Sequence, residues 1–117
     1  MLKQSLSRLS LSAMVAVGIM GAAAAANASD LSGTYSKYYE SVYESQLCRN
    51  TQVDAAGWKK IADYVDNKVN HDIGAGERLT LIETAKSDAR KLKDSKGCAH
   101  ESVQELLKLY DSELASL

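Results

Sequence analysis

Beyond residue 30 the apolar residues of this chain recur every three or four positions, and no proline interrupts them. That period is helical; a strand would alternate with a period of two, and no such run of useful length occurs. Four segments emerge. The first runs from about Ser32 to Cys48, with Leu31, Tyr35, Tyr38, Tyr39, Val42 and Gln46 on one stripe and Ser36, Lys37, Glu40, Ser41 and Glu44 mostly elsewhere. The second opens at Asp54, whose short carboxylate suits a helix N-cap. It carries Trp58, Ile61, Ala62, Val65 and Val69 and ends near Asn70. The third spans about Glu77 to Ser95, with Leu81, Ile82, Ala85, Ala89 and Leu92 on one face and Leu79 off it. Ala85 and Ala89 allow a neighbouring helix to come close. Glu77 at its start and Lys91, Lys93 and Lys96 at its end complement the helix dipole, and Gly97 is placed as a stop. The fourth follows Cys98, and Val103, Leu106, Leu107, Tyr110, Leu114 and Leu117 give it the cleanest stripe in the chain.

Amphipathic helices with short connections bury their stripes against one another, so the expected fold is all-α, a small antiparallel helical bundle of about four helices. The two cysteines bear on the topology. Cys48 closes the first segment and Cys98 opens the fourth. In an up-down-up-down order those two termini share one end of the bundle, so the thiols meet and a single Cys48–Cys98 disulfide is expected.

The first 28 residues bear on where such a bond forms. Lys3 and Arg8 give a short basic start, Leu11 to Ala26 is a run of mostly small and aliphatic residues, and Ala26-Asn27-Ala28 supplies small residues where a signal peptidase reads. This is the layout of a secretory signal peptide over 1–28, cleaved before Ser29, which leaves one small domain over 29–117. The run is short for a membrane span of about 20 residues and rich in Ala and Gly, so no membrane anchor is expected after cleavage. The compartment is then the periplasm, where an even cysteine count in a small domain reads as a disulfide.

Lys3 and Arg8 leave with the leader, so the 14 basic residues fall to 12 against 15 acidic ones, a formal charge of −3. This mildly acidic balance argues against nucleic-acid binding, which would want a basic stripe. Enzymatic chemistry is not expected. There is no Cys-x-x-Cys pair, no Gly-rich phosphate loop and no triad signature, and the carboxylates are scattered. No cofactor is implied, and the absence of Cys-x-x-Cys-His excludes covalent c-type haem as written.

Four features remain as candidate sites. Tyr35, Tyr38, Tyr39 and Tyr43 crowd one segment, and a ring with a polar tip suits a protein-binding surface. The bland reading is core packing, with Tyr43, at the edge of the stripe, left most exposed. The twelve positions Asp66 to Glu77 match in part a calcium-binding helix-loop-helix loop, with Asp66, Asn70, Asp72 and Glu77 as the ligands. Lys68 stands where a ligand belongs and His71 where the turn wants glycine, so the pattern is broken in two places. The histidines, His71 and His100, fall near separate helix ends and read as solvated. The basic run Lys86, Arg90, Lys91, Lys93, Lys96 is interrupted by Asp88 and Asp94 and reads as a solvated face.

The leading expectation is a non-catalytic periplasmic protein that binds another protein, as an adaptor, an inhibitor or a small stress chaperone. The exported plan, with under 100 residues, helices and one disulfide, resembles small acid-stress chaperones of the periplasm in layout alone, and no residue is carried over. Such a role would have the 15 carboxylates protonate, leaving a positive chain that opens while the bridge holds it together. The alternative expectation is small-ligand or metal binding in the Asp66–Glu77 loop or the bundle interior.

Overall fold

Four helices account for most of residues 30–117, the part of the chain that the computed structural model describes. The expected leader and its cleavage position lie outside the described residues. Helix α1 runs over 30–49, α2 over Ala55–Lys68, α3 over Ala75–Lys96 and α4 over Glu101–Leu109, the last continuing into a π-helical turn, Tyr110–Leu114. No strand occurs among the described residues. The fold is thus an all-α helical bundle, as the periodicity expects.

The helix ends follow local chemistry. Asp54 caps α2, its Oδ1 accepting from the Gly57 N–H at 2.7 Å, which satisfies one of the donors that the first helical turn leaves free. Gly97 ends α3 at φ 85°, a conformation that disfavours any residue with a Cβ. His100 caps α4 through its ring, with Nδ1 accepting from Ser102 N–H at 3.1 Å. Nδ1 must be unprotonated to accept, so the cap fixes the tautomer. The π turn was not expected. Its wider winding rotates Glu113 and Leu114 around the axis, and Leu114 enters the core at 3 % exposure.

The core joins Tyr35, Tyr38, Tyr39 and Val42 of α1 to Ile61, Val65 and Val69 at α2, to Ile73 and Ala85, and to Leu114. Ala85 and Ala89 are fully buried, whereas Leu79 stays exposed, as its place off the stripe requires. Two expectations need correction. Leu117, assigned to the stripe of the fourth segment, is exposed. More telling, α1 does not bury one stripe alone, since Ser41, Glu44 and Ser45 are buried as well. The reason is that α1 meets neighbours on several sides: Tyr39 faces Trp58 of α2, Glu44 lies in the field of Lys93 and Asp94 of α3, and Tyr38 bonds Glu113 of the π turn.

Cys48 and Cys98 form a disulfide with their Cα atoms 5.8 Å apart, within normal bridging reach. It fastens the C-terminal end of α1 to the entry of α4. The guanidinium of Arg49, the next residue, grips the Asp111 carboxylate with two bonds of 2.6 and 2.7 Å.

Candidate functional site

The tyrosine cluster divides. Tyr35, Tyr38 and Tyr39 are 2, 8 and 3 % exposed, so their rings pack the bundle and offer no surface to a partner. Tyr35 and Tyr39 stand with ring centroids 5.0 Å apart, and Tyr39 stacks on Trp58 at 6.3 Å. Burial pushes the Tyr39 phenol far above its ordinary range, with the Tyr35 phenol adding to the shift. In a chain without Phe, tyrosine supplies the aromatic bulk. Tyr43 alone of the four keeps partial exposure, with its ring 5.4 Å from Trp58.

The calcium-like stretch Asp66–Glu77, the alternative metal site, is not one continuous loop. Residues 66–68 still belong to α2, and α3 already begins at Ala75. The chain turns through Asn70 and His71, both at φ 56°, held by His71 N–H to the Asp66 carbonyl at 2.9 Å. Asp66 Oδ2 accepts from Arg78 at 3.0 Å, and Glu77 Oε1 accepts from the Ser32 hydroxyl at 3.0 Å. Asp66, Asn70, Asp72 and Glu77 are not drawn around a common point: two are engaged elsewhere, and Asn70 and Asp72 lie exposed in the turn. Among the described residues no three His, Cys, Asp or Glu side chains gather as metal ligands do. The histidines are likewise separate, His71 beside Asn67 at 2.9 Å and His100 at its cap.

Three arrangements went unseen in the sequence. The first is a clasp at Glu113, whose Oε1 accepts from Tyr38 Oη at 2.7 Å and from Tyr64 Oη at 2.6 Å, with Lys68 Nζ at 3.7 Å. The Tyr64 and Tyr38 bonds, supported by Lys68, hold the Glu113 carboxyl below its ordinary range.

The second is a depression of about 580 Å³ between the end of α1, the 50–54 connection and α3. Tyr43, Val53 and Trp58 give it an apolar side, Gln46 and Thr51 a polar one, and Lys86 and Arg90 of α3 a cationic edge. These two cations are exposed, and neither has an ion-pair partner within 4.0 Å among the described residues. The basic run is therefore not uniform: Lys86 and Arg90, one helical turn apart, border a groove with an aromatic side.

The third is Glu44, fully buried, with Oε2 finding no hydrogen-bond partner. Its Oε1 lies 3.7 Å from Cys48 Sγ. Burial raises its carboxyl to about 7; Glu40 adds to the shift, Lys93 opposes it and Asp94 adds to it. Glu40 itself is raised, first by burial and then by Asp88. The sequence held one signal for Glu44: it lies one turn before Cys48, on a helix whose end the bridge pulls inward.

No protein-family model matches the chain, and no curated protein or solved structure matches it either. The functional reading therefore rests on these residues alone. Among the described residues no helix is long and apolar enough to cross a membrane.

Proposed function

We propose that this chain is a non-catalytic protein of the periplasm, exported by its N-terminal leader, that works by binding another protein. The observation that carries the reading is the groove of Tyr43, Trp58, Lys86 and Arg90. Tyrosine and tryptophan present large apolar area at little entropic cost, and paired cations select a partner by charge. The partner is an acidic segment with an apolar side chain that seats beside Trp58 while its carboxylates meet Lys86 and Arg90. The disulfide supports an oxidising compartment, and the leader pattern of residues 1–28 supports export.

The test is capture from a periplasmic extract with the wild-type chain, with W58A and with the double variant K86E/R90E. A protein held stoichiometrically by the wild type and lost at least tenfold with the charge reversal supports the reading. Equal capture by all three, or no captured protein, rejects it. Cell fractionation checks the compartment, with a mature chain beginning at Ser29 as the expected product.

A further inference from the structure

A buried carboxyl with an orphaned oxygen is costly, because taking it from water without a hydrogen bond is uncompensated. Glu44 is such a group, and its position is specific. It sits one turn before Cys48, with Oε1 3.7 Å from Sγ, within hydrogen-bonding range for sulfur. In the bridged state that sulfur carries no hydrogen, so it cannot donate to the carboxylate. Any hydrogen bond across the gap must use a proton on Glu44 or, after the bridge opens, a proton on Cys48. The contact is thus a proton-transfer distance between two groups of which one is a potential leaving thiolate. Both cysteines are half-buried rather than sealed.

We propose that Cys48–Cys98 is an exchangeable disulfide, opened by a dithiol reductant, with Glu44 as the proton donor to Cys48 Sγ. A thiolate of the reductant attacks Cys98 Sγ. The Cys48–Cys98 bond breaks and its electron pair leaves on Cys48 Sγ, which takes the proton of neutral Glu44. The reductant's second thiolate then attacks its own sulfur in the mixed disulfide and releases Cys98, which is protonated from solvent. The reductant ends as a disulfide, two electrons having passed to the protein, and Glu44 recovers its proton from solvent. Closure runs the other way, with the Glu44 carboxylate taking the Cys48 proton.

The charged groups acting on Glu44 are Glu40 from its own helix and Lys93 and Asp94 from α3. Burial and Glu40 hold the proton on Glu44 up to about 7, so the donor is loaded at neutral and mildly acid pH. This inference does not depend on the binding reading above, because it rests on the Glu44–Cys48 contact and not on the groove of Tyr43, Trp58, Lys86 and Arg90. Opening the bridge would free the entry of α4 from the end of α1.

The test measures reduction of the native full chain by dithiothreitol between pH 5.5 and 8.5, followed by alkylation and mass analysis. Each rate is divided by the fraction of dithiothreitol present as thiolate. The wild type is expected to lose corrected rate, at least tenfold, as pH rises through the titration of Glu44. E44Q, which keeps the shape but carries no transferable proton, is expected to be at least tenfold slower at pH 6 and flat with pH. A wild-type profile without this fall overturns the proposal, and that holds even if E44Q does not fold. So does a folded E44Q with the wild-type profile, and so does a bridge that reacts only after denaturation, which would mark it as a staple alone.

Discussion

The Tyr64 hydroxyl donates to Glu113 Oε1 at 2.6 Å, across 49 residues of sequence, and the same oxygen accepts from Tyr38 at 2.7 Å. One carboxylate thereby ties α1, α2 and the C-terminal π turn together. Removing a single phenol leaves the other bond in place, so Y64F is expected to cost about 1 kcal/mol. E113A leaves the Tyr38 hydroxyl, on a ring only 8 % exposed, without its acceptor and is expected to cost about 2–3 kcal/mol. A Y64F/E113A double-mutant cycle by denaturant unfolding measures the coupling; additive losses would mean that the short bond carries no net energy.

The disulfide spans 50 residues. Closing a loop of that length removes enough freedom from the unfolded chain that C48S/C98S should lose about 4 kcal/mol. Chemical unfolding of the bridged wild type and of C48S/C98S checks this. An unchanged midpoint would show that the helices hold that pole without the bridge.

Stability should depend on pH in two opposite ways. Glu44 titrates at about 7 in the fold and near the ordinary glutamate value when unfolded, so the folded state holds its proton more tightly. Its favourable contribution is complete below the unfolded value and is lost as pH rises through 7. Between pH 8.5 and 5.5 the wild type should gain about 2 kcal/mol, and E44Q should not. Asp111, lowered by its Arg49 bond, and Glu113, lowered by Tyr64 and Tyr38, work the other way. Their contribution is present above the ordinary carboxylate range and disappears below it. Any acid opening of the bundle is therefore expected only below that range. Urea midpoints across pH 2–9 decide it, and a midpoint that falls steadily from pH 8 to pH 5 would contradict this account.

Ala85 and Ala89 are fully buried on α3. Both are sealed from solvent, so a longer side chain there must displace the atoms that cover it. A89L should cost about 1–3 kcal/mol despite leucine's good helix propensity. A thermal melt that rises on this substitution would show that the interface is looser than its burial implies.

Much of this architecture is written locally. Asp54 and Gly97 mark helix ends through their own chemistry, and Ile61, Val65 and Val69 declare the buried face of α2 by spacing alone. The cysteines sit at termini that an up-down order brings together. The pairing is therefore readable in the sequence, and so is the break in the calcium-like pattern at Lys68 and His71, whose neighbours largely serve as helix ends.

Helical period fixes the angle of each side chain around its own axis, and from that the sequence by itself determined four amphipathic helices, their ends and their covalent link. It does not fix how many neighbours surround a helix. Only the tertiary structure decided that α1 is enclosed on several sides, which buries Glu44 beside the bridge and makes Tyr35, Tyr38 and Tyr39 core residues. Only the π turn aimed Glu113 at two phenols, because a change in winding shifts every side chain after it around the helix axis.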